Sequence, residues 1–413
     1  MNKLDKTIAI ILAGGVGSRL HPLTTDRAKP AVPFGGKYRI IDFTLANCLH
    51  SGLRRILVMT QYKSHSLQKH LRDGWSIFNP ELGEYITPVP AQMRTGEGWY
   101  SGTADAIHQN LYLLERSDAD TCLILSGDHI YRMDYAAMMG THRRTGADLT
   151  IACMEVPIHE ASAFGNISID QEQRITAFRE KPQQPDHIPD KPDTALVSMG
   201  IYLFSTKLLS QALLDDHADE NSSHDFGKDI IPHLIRTHRV YAHQFGSNEG
   251  RVSPDRYWRD VGTIDSYYQA NMDLLEPVPS LNLYQDDWPI RSYQQQTPPA
   301  RTVPGNTGTE GIFINSILAD GTVISGGSIQ HSILFPKVTV DDEAMVEDAI
   351  LFEGVHVGPR ALIRRCIIDK GVSIPDNEKI GYDNDRDRER FTVSDDGIVV
   401  VPKNFCFKPS NNE

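Results

Sequence analysis

Between Thr7 and about Glu276, short runs of apolar residues alternate with longer stretches in which apolar positions recur at helical spacing. Ile8 to Leu12, Arg55 to Thr60, Thr121 to Ser126 and Leu149 to Met154 read as buried strands. Leu67 to Leu71, Ala104 to Leu114 and Tyr135 to Arg144 read as helices, the second with Ala104, Ile107, Leu111 and Leu114 on one face. Such alternation predicts an α/β domain, a mostly parallel sheet covered by helices. In that architecture chemistry sits at the carboxyl ends of the strands.

The pattern then changes twice. From Pro277 to Gly311, Pro277, Pro279, Pro289, Pro298, Pro299 and Pro304 punctuate a polar stretch, which reads as a long connection. Within it Leu281, Leu283, Tyr284, Trp288 and Ile290 offer apolar points that would pin it to a domain surface. Past Ile312, β-branched residues recur every six positions: Ile317, Val323 and Ile329; Val340 and Val346; Val357 and Ile363; Ile368 and Ile374. That period predicts a parallel β-helix, one short strand per face of a triangular coil, with glycines near the corners. An antiparallel sandwich is the alternative left open by spacing alone. The expected division is residues 1–276, a connection over 277–311, and a repeat domain with its tail over 312–413.

Charge narrows the choice of partner. The 413 residues carry 41 Lys and Arg against 54 Asp and Glu, a net charge of -13. This argues against nonspecific binding to nucleic acid or to an anionic membrane, so local basic clusters must carry any anion binding. Five scattered cysteines give neither a zinc pattern nor a disulfide framework, and a cytoplasmic location is expected. The apolar stretch near the N-terminus is too short for a signal-peptide core, and no run approaches the roughly eighteen residues of a membrane span.

Directly after the first strand comes Leu12-Ala13-Gly14-Gly15-Val16-Gly17-Ser18-Arg19-Leu20. A strand running into a glycine turn lets backbone N–H groups converge on a phosphate without obstruction by Cβ atoms. Leu20 stands where the dinucleotide fingerprint needs its third glycine, and no P-loop string occurs, which disfavours a dehydrogenase or P-loop ATPase. Arg19 and Lys29 lie close enough to neutralise a polyphosphate and the charge of a departing pyrophosphate; singly, either reads equally as a solvated surface charge. Asp128, at the end of the strand Thr121 to Leu125, stands where a side chain projects into a cleft and is the leading candidate for a hard oxygen ligand. A turn or cap role is the plainer reading of that aspartate.

Leu12 to Arg19, followed by Ala28-Lys29-Pro30-Ala31-Val32-Pro33, resembles the signature of sugar-phosphate nucleotidyltransferases. Two further strings, Asn221-Ser222-Ser223-His224-Asp225-Phe226-Gly227-Lys228-Asp229-Ile230-Ile231-Pro232 and Pro90-Ala91-Gln92-Met93-Arg94, look like the ADP-glucose-forming branch of that family. With Phe34 to Phe43 and the hexad tail, the resemblance covers nearly the whole chain. It implies a Rossmann-like nucleotidyltransferase domain followed by a left-handed parallel β-helix. It also implies transfer of the adenylyl group of ATP to glucose 1-phosphate, giving ADP-glucose and pyrophosphate for glycogen synthesis. The sugar phosphate attacks the α-phosphorus in line, and the protein contributes position and charge.

Residue roles follow from the same resemblance. Arg19, Lys29 and Asp128 would be catalytic, and Asp128 with Asp260 would hold Mg²⁺. Leu12, Ala13, Gly14, Gly15, Gly17, Ser18, Gln92, Gly102 and Thr103 would contact ATP. Tyr100, Gly165, Glu180, Lys181 and Ser198 would contact glucose 1-phosphate, Lys181 at the phosphate and Glu180 at the hydroxyls. His224 and Asp225 read equally as caps of the following helix.

The family is generally a homotetramer and allosteric, binding AMP and a sugar bisphosphate between its two domains. Arg27, Lys37, Arg39, Arg365 and Lys370 are the candidates by position. Enteric members carry a lysine directly before Arg-Ala-Lys-Pro, where Asp26 stands here, and a basic C-terminal extension that Asn404 to Glu413 lacks. Fructose 1,6-bisphosphate is therefore expected to activate weakly or not at all. Three alternatives stand beside this reading: synthesis of UDP-glucose or dTDP-glucose, a noncatalytic regulatory subunit, and an acyltransferase prompted by His331 and His356 in the repeats.

Overall fold

The computed structural model describes residues 6–92, 99–246, 250–251 and 256–407. Met93 and Arg94, and the tail from 408 onward, lie outside them. The first domain is a nine-stranded sheet with helices on both faces. Its centre is four parallel strands: β1 (Thr7–Leu12) between β2 (Arg55–Thr60) and β4 (Thr121–Ser126), with β3 (Tyr85–Pro90) outside β2. Alternate residues of β1 face opposite layers. Ile8 and Ile10 join a core with Leu57, Met59, Cys122 and Ile124, whereas Ala9 and Ile11 join one with Ile56, Val58, Leu123 and Leu125. Burial on both faces is why these strands read as unbroken apolar runs.

The expected parallel pairing stops at β4. The long β9 (Thr194–Ser205) enters antiparallel, Tyr202 opposite Ile124, and pairs antiparallel with β6 (Leu149–Pro157) and β7 (Gly165–Ile169) as well. Strand β8 (Ile175–Glu180) extends that half, while β10 (Val240–Gln244) runs parallel to β6. A short ribbon, β5 (His129–Tyr131) with β11 (Trp258–Asp260), places His129 opposite Asp260.

The helices are α1 (Ile40–His50), α2 (His65–Gly74), α3 (Thr103–His108), α4 (Leu111–Arg116), α5 (Tyr135–Thr145), α6 (Thr206–His217), α7 (Ile231–Thr237) and α8 (Ile264–Met272). The single helix expected over Ala104 to Leu114 is two. Asn110 donates its side-chain amide to Ala106 O at 2.9 Å and to the Tyr100 hydroxyl at 2.9 Å, and local bonding of this kind competes with the helical ladder. Among the described residues no helix is long and apolar enough to cross a membrane.

The connection is pinned as its apolar positions predicted, except at Tyr284, which stays exposed. Leu281, Trp288 and Ile290 are buried; Trp288 Nε1 donates to Asn47 Oδ1 at 3.2 Å, and Arg132 reaches Gln285 and the Asn282 carbonyl at 2.7 Å each. Arg301–Val303 already pairs in parallel with Val323–Ser325, so the repeat ladder begins ahead of the expected residue 312. Successive coils stack Ile317 on Ile333, Ile350 and Ile367, steps of 16 (317 to 333), 17 (333 to 350) and 17 (350 to 367), each short of three full hexads. The shortfall shifts the inward position of the first coil from Val323 to Ile324, which is fully buried. His331 and His356 lie outside the coil, 2.7 Å from Asp348 and Asp341 respectively.

Candidate active site

Strand β1 ends on the glycine turn. Ala13 N donates to Met59 O at 3.0 Å and Gly127 N to Leu12 O at 3.1 Å, which fixes the start of the turn against both flanking strands. Gly17 adopts a left-handed φ of 63°, and a Cβ there would lie 3.2 Å from both Lys29 and Thr24 side chains, so this position needs glycine on two counts. Gly15 has nothing within 4 Å of its Cβ position, leaving its backbone open to a ligand. Leu12, Ala13, Gly14, Gly15, Gly17, Ser18 and Arg19 all line one cleft of about 650 Å³.

Across the mouth of that turn three charges meet. Lys29 Nζ lies 2.9 Å from Asp128 Oδ2 and 2.9 Å from Asp260 Oδ1. Burial opposes charge on Lys29, but the two carboxylates outweigh it and raise its pKa. Burial likewise opposes ionisation of Asp128, yet Lys29, His129 and the Ser126 hydroxyl, which donates to Oδ1, hold it below the usual carboxylate range. Arg19 is exposed, with its guanidinium over Gly262: a Cβ there would fall 3.1 Å from Nη2.

His129 was given no role by the sequence, although it directly follows Asp128. Its Nε2 lies 3.6 Å from Asp128 Oδ1 and 4.0 Å from Asp260 Oδ1. Its ring packs edge-on against Trp258 at 4.9 Å, and burial pushes its pKa down despite the two carboxylates. Asp128, His129 and Asp260 each present a ligand atom within 4.8 Å of the others. The ammonium shared by the two carboxylates stands in for a cation, and this donor set fits a divalent metal.

Tyr100, Gly102, Thr103 and Glu180 line the far side of the same cleft. Gly102 is there because the backbone of the 223–224 turn crosses it: a Cβ would sit 2.2 Å from His224 O. Ala104 N donates to that same carbonyl at 2.8 Å. Asp225 caps the next helical segment through Gly227 N at 2.9 Å and Lys228 N at 3.2 Å, and its Oδ2 accepts from Thr103 Oγ1 at 3.2 Å. The capping reading of Asp225 therefore holds, while the residue also lines the cleft. His224 does not cap; its Nδ1 lies 2.8 Å from Asp216.

Glu180 sits between two glycines. A Cβ on Gly227 would fall 2.5 Å from Glu180 Oε2 and one on Gly165 3.0 Å from it. Burial raises the Glu180 pKa, and Asp225 adds to the rise against Lys181. Gly165 thus backs Glu180 and does not line the cleft. Ser198 is buried at the bulge of β9, accepting from Gly200 N at 3.2 Å; Gly200 and Tyr202 reach the cleft in its place. Lys181 is exposed beside Glu180, Nζ 3.6 Å from its Oε1, off the cleft wall. Gln92 is exposed and also off that wall.

The proposed effector residues divide. Lys37, Arg39 and Lys370 line a cavity of about 330 Å³ where the first domain meets the β-helix. Burial lowers both Arg39 and Lys370 from their ordinary values. Arg27 lies behind it, buried and bound to Asp369 at 2.8 Å. Arg365 is not on that cavity; it is exposed and donates to Asp396 O at 3.1 Å.

A glycine turn, paired carboxylates and an acidic bay on an α/β sheet define the class. Residues 8–277 match the model of the Nucleotidyl transferase family, and residues 298–401 that of the GlmU-like, C-terminal hexapeptide. Glucose-1-phosphate adenylyltransferase 2 of Vibrio cholerae serotype O1 is 63% identical over 404 residues, covering 98% of this chain and 99% of that protein. Its namesake in Vibrio vulnificus strain CMCP6 is 64% identical over 98% of this chain and 100% of its own length. Glucose-1-phosphate adenylyltransferase of Shewanella baltica is 48% identical over 100% of this chain and 98% of that protein. The chain belongs to the nucleotidyl transferases and, within them, to the glucose-1-phosphate adenylyltransferase family.

Proposed function

We propose that this chain transfers the adenylyl group of ATP to glucose 1-phosphate, forming ADP-glucose and pyrophosphate for glycogen synthesis. The observation that carries the reading is the convergence of Lys29, Asp128 and Asp260 at the glycine turn, in one cleft with Glu180. Backbone N–H groups of Gly14 to Ser18 hold the triphosphate, and Arg19 and Lys29 offset the charge that builds on the departing pyrophosphate. Gly102 and Thr103 close the nucleotide side, and Gln92, exposed off that wall, would have to move in to join them. Glu180 accepts from the glucose hydroxyls beside Tyr100, and Lys181, exposed off the cleft wall, would swing in to the sugar phosphate.

Mg²⁺, when bound by Asp128 and Asp260, supplies charge neutralisation and alignment of the reacting phosphates. With a metal held by those carboxylates, the Lys29 ammonium would be left to pair with the phosphates. The test is pyrophosphate release by the purified chain with glucose 1-phosphate and Mg²⁺, using ATP, UTP and dTTP in parallel. Activity confined to UTP or dTTP would overturn the assignment.

The junction cavity is read as the effector site for AMP or a sugar phosphate, its support being the two desolvated cations Arg39 and Lys370. Asp26, a carboxylate where enteric members carry a lysine, lies 3.7 Å from Lys403 and off the wall of that cavity. Fructose 1,6-bisphosphate should leave the rate at subsaturating ATP within about twofold; strong, saturable activation would refute this. The reading as a homotetramer is supported by Ile312, Phe313 and Ile314, which stand exposed on the first full coil.

A further inference from the structure

Away from the cleft, two helices bring together nitrogen and oxygen donors that no step of the reaction uses. Asp105 and His108 lie one turn apart on α3, and His217 is the last residue of α6. One ligand atom of each lies within 4.8 Å of the other two. The His108 and His217 rings are stacked, centroids 3.9 Å apart and planes 19° from parallel. His108 Nδ1 is shut off from solvent with no hydrogen-bond partner among the described residues. A buried nitrogen left that way is destabilising unless something outside the chain satisfies it.

We propose that Asp105, His108 and His217 form a second metal site, for one borderline divalent transition ion of the zinc, nickel or cobalt class, which ties α3 to the end of α6. The donor chemistry selects the ion. Two imidazoles and one carboxylate suit zinc and its neighbours, whereas magnesium and calcium prefer oxygen alone. The Asp105 carboxylate is already fixed in orientation. Its Oδ2 accepts from Ser101 N at 2.9 Å, Ser101 Oγ at 3.0 Å and Gln109 Nε2 at 2.9 Å, leaving Oδ1 without a hydrogen bond among the described residues. A carboxylate held by such partners is what a metal ligand requires.

Two stacked imidazoles point their lone pairs side by side, so one ring must turn to close on an ion. His217 is exposed as the last residue of α6, which leaves an entry path on its side. In a tetrahedral site with bonds of about 2.0–2.1 Å the ligand atoms stand roughly 3.3 Å apart, so the trio contracts by about 1.5 Å at most. Solvent supplies the remaining position. Bound there, the ion braces α3, whose first residue Thr103 lines the nucleotide side of the cleft.

The experiment uses the untagged full chain in saturating Mg²⁺, titrated with Zn²⁺ by calorimetry and followed by thermal melting. Expected is one zinc per chain with a rise in Tm, both kept in Asp128→Asn. His217→Phe preserves ring stacking without a ligand nitrogen, and should keep the metal-free Tm while weakening zinc binding more than about tenfold. Unchanged zinc affinity and Tm shift in His217→Phe would overturn the proposal, as would the absence of binding in the micromolar range. Zinc binding that disappears in Asp128→Asn but survives in His217→Phe would place the ion in the cleft and equally refute it.

Discussion

Lys29 Nζ stands 2.9 Å from a carboxylate oxygen of Asp128 and 2.9 Å from one of Asp260, residues that lie far apart in the chain. The relationship joins the segment after the glycine turn to β4 and to the β5–β11 ribbon. It also holds two acidic groups together that would otherwise repel. Asp128→Asn removes one of the two carboxylates proposed to hold the metal while leaving Asp260 to pair with Lys29. We expect kcat to fall by about 10²–10³-fold, the scale of losing one preorganised transition-state contact. Thermal melting and circular dichroism should stay close to the parent, so a variant that keeps activity within tenfold of the parent would show that the carboxylate is not used.

Much of this centre was legible before the fold was known, because the glycine turn, Lys29 and Asp128 all sit at or just beyond strand ends that their apolar runs announce. Asp260 and Lys181 came through resemblance, since nothing local distinguishes an aspartate in a short ribbon from a cap. His129 escaped notice because a histidine beside an aspartate carries no periodic signal; only the β5–β11 pairing brings it toward Asp260. The antiparallel half of the sheet was missed for a similar reason. Strand direction depends on connections such as the long β9, whereas apolar runs report burial alone. A strict hexad count drifts off the coils because they are shorter than three hexads, so it lands on half-buried Val323 where the fully buried residue is Ile324.

Lys181 is exposed, with its Nζ 3.6 Å from Oε1 of its neighbour Glu180. A cation in that state loses little on binding a phosphate, and in the proposed reaction its departure would free Glu180 to accept from the sugar. Lys181→Gln should therefore raise the KM for glucose 1-phosphate by about 10–100-fold, the value of a hydrogen bond to a charged group. Both kcat and the KM for ATP should change by less than about threefold. Initial rates over a matrix of both substrates separate these terms, and a loss confined to kcat would contradict a ground-state phosphate contact.

Gly102 meets the chain at closer range than any other glycine lining the cleft, with its Cβ site 2.2 Å from the His224 carbonyl oxygen. The contact is to backbone, which cannot swing aside as a side-chain end can. Gly102→Ala should push the start of α3 away from the 223–225 turn and break the 2.8 Å bond from Ala104 N to His224 O. Thr103, which bonds Asp225, moves with it. We expect a destabilisation of about 1–3 kcal/mol, as for other overpacked sites, together with a raised KM for ATP. Urea denaturation and steady-state kinetics would check the pair; an unchanged midpoint would mean that the turn yields at no cost.

His142, in the last turn of α5, is 6% exposed, and its Nδ1 lies 2.8 Å from Thr150 Oγ1. Burial lowers its pKa to about 4, with Arg143 and Arg239 acting in the same direction against Asp148. In the unfolded chain the ring takes up its proton near the ordinary value of about 6.5. Between those two values the unfolded state binds more protons than the folded one, so folding stability drops as pH falls from about 6.5 to about 4 and levels off below. The contribution is about 3 kcal/mol at its fullest, from roughly 1.4 kcal/mol per pH unit. His142→Gln can keep a hydrogen bond to Thr150 but has no proton to gain. It should lose stability relative to the parent at neutral pH and recover toward or past it below pH of about 5. Denaturation midpoints measured across that range for both proteins decide the matter: two curves that stay parallel would mean that His142 does not titrate differently in the folded and unfolded chains.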